Sequence, residues 1–395
     1  ARTPRQNTTG GEGTKNGVRR ETGFDITSAS EVMAILGLSM DAKDLRKRLG
    51  DIVVATDTDG QPVTAEALGA AGAMAVVLKD AIHPTFMQAL EGTGCFVHTG
   101  PFANIAHGNS SIVADKIALK LCDYVVTESG FGADMGAEKF FNIKCRVSGL
   151  KPDAAVVVAT IRALKVHSGR FKISPGKPLP EEMLKENIPA VEEGIVNLKR
   201  HIENVGKFGV PVIVALNRFP TDSDGEVEVV LNMARSFGAF DAVISDVHAR
   251  GGEGGAELAE AVVRACEEVP SKFSVLYPDD MPVKEKISTI CKEIYRADGV
   301  KLLPAARKSI RKFEKMGLGH LPICMAKTQY SFSDDPKKIG APDNFQMTVR
   351  DVRLSAGAGF LYALTGDIMT MPGLGSKPAL LNIDLDEQGL PAGLF

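Results

Sequence analysis

Short apolar runs recur along the first two thirds of the chain: DIVVAT (51–56), AMAVVL (73–78), GCFVHT (94–99), DYVVTE (123–128), AAVVVAT (154–160), VPVIVALN (210–217) and FDAVISDV (240–247). Val and Ile stand on successive positions within them, the pattern of strands covered on both faces in a parallel sheet. Between the runs, apolar residues return at helical spacing. TSASEVMAILGL starts at Thr27 with Glu31 four residues on, and TAEALGAAGA and SSIVADKIALKLC keep the same period. KENIPAVEEGIVNLKRHIENVGKFG is a long amphipathic stretch that Gly209 stops. Strand and helix alternating in this way predict an α/β domain with a mostly parallel, doubly wound sheet. Ligands of such sheets lie at the C-terminal ends of the strands.

Past Pro270 the pattern changes. PVKEKISTICKEIYRA and PAARKSIRKFEKMG read as helices, and FQMTVRDVRLSAGAGFLYALTGDIM reads as strands joined by Gly turns. The expected divisions are an α/β region over 1–205, its continuation over 206–270 and a smaller α+β region over 271–395. HSGRFKISPGKPLPEEML (167–184), rich in Pro, Gly and Lys, reads as a surface loop.

Composition narrows the function classes. A net charge of −3 over 395 residues argues against nucleic acid captured by charge. No apolar run is long enough to span a bilayer, so no membrane partner is expected. Six scattered cysteines without a CxxC pair, most beside apolar residues, read as buried reduced thiols of a cytoplasmic protein. The polar opening ARTPRQNTTGGEGTKNGVRRE has no initiator Met and resembles the middle of a protein more than a beginning.

Five loops at the predicted strand ends concentrate Gly, Asn, Asp, Phe and His: HTGPFANIAHGNSS, TESGFGADMGAEKFF, TIRALKVHSG, NRFPTDSDG and HARGGEGGAE. Together they predict a site, because a rigid sheet positions such loops. Phe131 stands between two glycines, where its ring is either a stacking wall for a heterocycle or a core residue. Asn217 can offer its amide to a base edge or close an Asx turn, and Phe219-Pro220 form an aromatic corner beside it. Arg162 and Lys165 could meet a phosphate, or pair with Asp134 or Glu138. Asn104, His98 and His107 belong to the first loop, where they contact a ligand or brace the loop. The Gly-rich turn of HARGGEGG already carries Glu253 and Glu257, which weakens it as an anion site. The seven histidines show no HxH or HExxH spacing, so no metal site is expected. No GxxxxGK followed by Ser or Thr occurs, and TGGEGTKNG (9–17) has the wrong spacing.

Six longer motifs, in order, carry a resemblance: GPFANIAHG, DYVVTESGFGADMGAEKFFNIKCR, VVATIRALKVHSG, HIENVGKFGVPVIVALNRFPTD, LPICMAKTQYSFSDDP and TVRDVRLSAGAGFLYALTGDIMTMPGLG. From about Gly17 to the final GLF the chain resembles formate–tetrahydrofolate ligases, while residues 1–16 match nothing in them. The resemblance implies ATP-dependent joining of formate to tetrahydrofolate through formyl phosphate. ATP with Mg and tetrahydrofolate are its substrates, with a monovalent cation and a homo-oligomer as further implications. Phe131 and Phe219 match aromatics of the shared folate and adenine region, with Asn217 and Pro220 beside them. His248 or Val247 stands where the family commonly has Trp, and Ser168 replaces a Gly. Asn104, His107 and Arg162 are the candidates near the transferred group. The implied fold is P-loop-NTPase-like but incomplete, because the family's phosphate loop and its Lys lie upstream of the matching residues. The chain is therefore expected to be the C-terminal two thirds of the enzyme, inactive alone, its site completed by an N-terminal segment or another chain. The alternative is a non-catalytic folate- or nucleotide-binding or scaffolding relative.

Overall fold

In the computed structural model, residues 6–9, 19–23, 26–173, 178–368, 370 and 379–393 are described. Segment 9–17 beyond Thr9, residues 174–177 of the predicted surface loop and the last two residues lie outside them. Contacts divide the chain into Glu31–Ile368 and a second unit of Ala1–Ser30 with Met369–Phe395. The second unit holds a hairpin of Gln6–Thr9 with Arg20–Gly23 and another of Asp384–Leu385 with Pro391–Ala392.

Within Glu31–Ile368, three of the seven predicted strands build the parallel sheet. Ala155–Ala159, Val212–Asn217 and Asp241–Ser245 pair in that order, Ala155 against Val212 and Ile213 against Asp241. The central strand is buried from Val212 to Leu216 because helices cover both faces. Val212, Val214 and Leu216 meet helices Val196–Gly206 and Asp224–Ser236, whereas Ile213 meets Ala261 and Ala265 of helix Ala256–Glu268. The outer strand differs. Val157 and Ala159 face the core, but Val156 is 37% and Val158 59% exposed, and among the described residues this strand pairs on one edge only.

The other four predicted parallel strands are corrected. Val53–Thr56 folds back antiparallel on Pro62–Thr64, and Gly94–Val97 on Thr85–Gln88. Turn chemistry decides both. The Asp57 carboxylate accepts the N–H groups of Asp59 and Gln61, with Gly60 at φ +80°, and Gly92 at φ +89° closes the second hairpin. AMAVVL lies in helix Ala71–Val77, where Ala outweighs two valines. Residues 123–128 form no strand. The α/β class holds, but the parallel sheet is small.

The predicted Gln346–Ser355 and Phe360–Thr365 strands pair antiparallel. Gly299–Leu302 and Ile323–Ala326, not predicted, flank them in parallel to complete a four-stranded mixed sheet. Helices Val283–Glu293 and Pro304–Lys315 occur as expected, and the long amphipathic stretch is two helices, Ile188–Gly194 and Val196–Gly206. One continuous core runs from Phe141 to Ala363 and so crosses residue 270. Of the six free cysteines, Cys145, Cys291 and Cys324 are buried, but Cys95 and Cys122 are exposed, which corrects the view that most are buried.

Candidate functional site

The first loop, 99–111, is sewn to the second, 128–136, by backbone. Gly130 N–H donates to Gly108 O at 3.0 Å, and Asn109 Nδ2 donates to Ser129 Oγ at 2.8 Å. Gly130 lets the two loops approach this closely, since a Cβ there would meet Ala103 Cβ at 2.8 Å and Gly108 O at 3.4 Å. Gly136 lets the second loop close on itself, since a Cβ there would run into Gly130 O. Two non-glycine residues take left-handed backbone here, Thr99 at φ +58° and Phe131 at φ +61°. Such conformations cost about 1–2 kcal/mol each and collect where the surroundings impose them. The outcome at Phe131 is a ring 47% exposed, edge-on to Phe102 at a centroid distance of 6.4 Å.

Asn104 and His107 sit beneath that surface. Lys139 Nζ, fully buried, donates to Ala103 O at 2.6 Å and to Asn104 O at 3.0 Å, bracing the loop from inside. His107 has no exposure and packs on Gly37, where a Cβ would meet its Nε2 at 2.8 Å. Burial, with Lys144 and Lys139 nearby, pushes His107 down to about 3, so its imidazole is neutral. His98 is also internal. Its Nε2 donates to Ala81 O at 2.7 Å, which leaves Nδ1 to accept from Ser111 Oγ at 2.6 Å.

Glu138, under the second loop, is buried, its Oε1 accepting from Asn142 Nδ2 at 2.7 Å and its Oε2 unpartnered among the described residues. Burial raises its carboxyl to about 7 from an ordinary 4.5. Between these values the folded state holds a proton that the unfolded chain releases, so stability falls as pH rises from 4.5 to 7. Glu138→Gln removes that penalty. Urea midpoints measured across pH should place the variant above the parent at pH 8 by on the order of 3 kcal/mol, with the two converging below pH 4.5. A gap independent of pH would show that the carboxyl is not held protonated.

A second group lies where the parallel strands end. Arg162 Cζ stands 3.8 Å from the Phe219 ring centroid, and Nη2 donates to Thr221 Oγ1 at 3.2 Å. Arg162 thus covers one face of the aromatic corner. Asp222 Oδ2 accepts Phe219 N–H at 2.8 Å, fixing the turn in which Pro220 is exposed. Asn217, half-buried, is the last residue of its strand and pairs with Ser245. His248 is exposed in the single turn Val247–Arg250. In the following Gly-rich turn, Gly252 N–H donates to both Glu91 carboxylate oxygens at 2.8 Å.

Lys165 has a different partner from the two expected. Its Nζ is 2.6 Å from Glu226 Oε1, both residues buried, and it also donates to Met183 O and Lys185 O. The structure therefore gathers Phe131 with Asn104 and His107 in one group, and Arg162 with Asn217, Phe219 and Pro220 in another. The Phe131 ring is not among the ring neighbours of Phe219.

Sequence reasoning missed Phe102, Lys139 and Lys327. Lys327 follows the wholly buried Ile323–Ala326 strand, and its Nζ lies 2.9 Å from Asp134 Oδ2. A lysine directly after four apolar strand residues was the available signal. Among the described residues no three His, Cys, Asp or Glu side chains are grouped to hold a metal ion. Nor is any described helix long and apolar enough to cross a membrane.

A family model described as formate–tetrahydrofolate ligase matches residues 1–395. It takes in residues 1–16, which corrects the expectation that they match nothing. A formate–tetrahydrofolate ligase of Desulforamulus reducens is 56% identical over 97% of this chain and 67% of its own length. One from Saccharopolyspora erythraea is 55% identical over 98% of this chain and 68% of its own. The cytoplasmic C-1-tetrahydrofolate synthase of Schizosaccharomyces pombe is 52% identical over 99% of this chain, which spans 43% of that protein.

Proposed function

The chain belongs to the formate–tetrahydrofolate ligase family, a family of enzymes, and from that premise we propose that it serves the ATP-dependent formylation of tetrahydrofolate. In the proposed reaction a formate oxygen attacks the γ-phosphorus of Mg-bound ATP and ADP leaves, giving formyl phosphate. The N10 amine of tetrahydrofolate then attacks the formyl carbon and inorganic phosphate leaves, giving 10-formyltetrahydrofolate. The observation that carries this reading is the half-exposed Phe131 ring, held outward on strained backbone.

In this reading Phe131 and the free face of Phe219 are flat walls for the pterin or adenine rings. Asn217 offers its amide to a ring edge, Pro220 shapes the corner, and the exposed His248 imidazole stacks with less area than an indole. Arg162 is assigned to Phe219 rather than to the transferred group, because its guanidinium already lies on that ring. Asn104 and His107 act by supporting the loop beneath Phe131, which fits their burial. Acyl-phosphate formation needs cationic groups on the transferring phosphoryl. No GxxxxGK followed by Ser or Thr lies in these 395 residues, so we assign that task to a further segment or chain and expect little turnover from these residues alone. A monovalent cation, a homo-oligomer and a cytoplasmic setting belong to the same proposal.

Phe131→Ala and Phe219→Ala should each weaken tetrahydrofolate binding about tenfold, as loss of one aromatic wall does. Titration calorimetry measures it, with melting temperature as the control. An unchanged affinity in a folded variant returns that ring to a structural role. Robust formate-, ATP- and tetrahydrofolate-dependent formyl transfer by the chain alone would overturn the expectation of low turnover.

A further inference from the structure

Loop 128–136 is tied to a part of the chain almost two hundred residues away. Lys327 is fully buried at the end of Ile323–Ala326, its Nζ 2.9 Å from Asp134 Oδ2 and donating to Thr328 O at 2.7 Å. Its ammonium also lies 5.2 Å from the Tyr295 ring centroid. Asp134, itself buried, stands three residues after Phe131. Between them Gly132 is tightly packed, since a Cβ would meet Asp134 Oδ1 at 2.7 Å and the His201 ring at 3.3 Å. The His201 ring, half-buried, lies 4.8 Å from the Phe332 ring on the segment that follows Lys327.

The loop is thus fixed from below at Asp134, while Phe131 is left half-exposed above. A buried ion pair is a poor source of stability compared with apolar residues of the same volume. Its geometric demand is strict, however, and here that demand falls on a turn holding an aromatic residue at φ +61°. We propose that Lys327 is a positioning residue, which through Asp134 presents the Phe131 ring to the flat heterocycle it receives. This rests on the folate-binding reading of Phe131.

The test is tetrahydrofolate affinity by calorimetric titration for Lys327→Met, Lys327→Arg, Phe131→Ala and the Lys327→Met/Phe131→Ala double variant, each with a melting curve. Lys327→Met should lose about tenfold in affinity, the loss expected for one aromatic wall. Lys327→Arg should recover part of it, and the double variant should bind no more weakly than Phe131→Ala alone. A folded Lys327→Met that binds like the parent, while Phe131→Ala is impaired, overturns the positioning role alone. So does a double variant in which the two losses add. If Phe131→Ala itself binds normally, the folate reading fails and the proposal fails with it. Should Lys327→Met not fold, Asp134→Asn, which keeps the side chain's shape without its charge, is read against the same outcomes.

Discussion

Glu226→Ala should cost the fold about 3–5 kcal/mol, the usual consequence of leaving one buried charge without its partner. Glu226 has no exposure and Lys165 almost none, and their charges are 2.6 Å apart. Without the carboxylate, the ammonium keeps two backbone carbonyls and no counter-charge. Two further bonds go with it. Glu226 Oε1 accepts Asn187 N–H at 2.6 Å, and Oε2 closes the capping box on Ser223 at the start of helix Asp224–Ser236. A typical domain has only about 5–15 kcal/mol in total, so the variant should unfold at markedly lower urea. Replacing both partners by Met should recover most of the loss, because it removes the stranded charge along with the pair. A shift below about 1 kcal/mol for Glu226→Ala would mean that the Lys165 ammonium reaches water or another partner, and that the pair is not a fixed part of the fold.

The second large effect is expected at Gly194, where helices Ile188–Gly194 and Ile161–His167 cross. A Cβ on Gly194 would run into the carbonyl of Leu164 and crowd Ser168 N. Both are backbone atoms, so no rotamer change can relieve the clash and one helix must move. Gly194→Ala should destabilise by about 3 kcal/mol, the upper part of the range for overpacking. Helix Ile161–His167, one of the two, carries Arg162 and Lys165 and is expected to yield. Loss of the Arg162–Phe219 contact should therefore accompany the loss of stability. Thermal melts test the first effect, and a crystal structure of the variant tests the second. A melting temperature equal to the parent's would show that the helices separate at no cost.

These expectations rest on contacts that differ in how visible they are in the chain. Val212–Leu216 was legible because a strand covered on both faces has no polar position to confuse its reading. The same run of valines at 53–54 was misleading, since Val54 faces water, and the decisive information was the DTDG turn three residues later. Phe131 was legible from its two flanking glycines, a purely local signal. Its support was not. Asp134 and Lys327 lie 193 residues apart, and nothing in either neighbourhood names the other. Lys165 shows the same limit on a shorter scale. Its burial could be inferred from the strand before it, but its partner depends on how the 224–236 helix is capped. Pairings of charges across the fold are set by where elements pack, and local patterns carry no record of that.

The outer strand Ala155–Ala159 also bears on how the molecule behaves in a flask. Among the described residues its outer edge offers a row of backbone donors and acceptors with no strand partner, with Val156 and Val158 beside it in water. Such a row is a template for any extended segment, including the same strand of another molecule. A net charge of −3 spread over 395 residues is too small to hold copies apart. In a concentrated sample, self-association is therefore expected to begin at the open side of Ala155–Ala159 and its two exposed valines, whatever the thermodynamic stability of the core behind them.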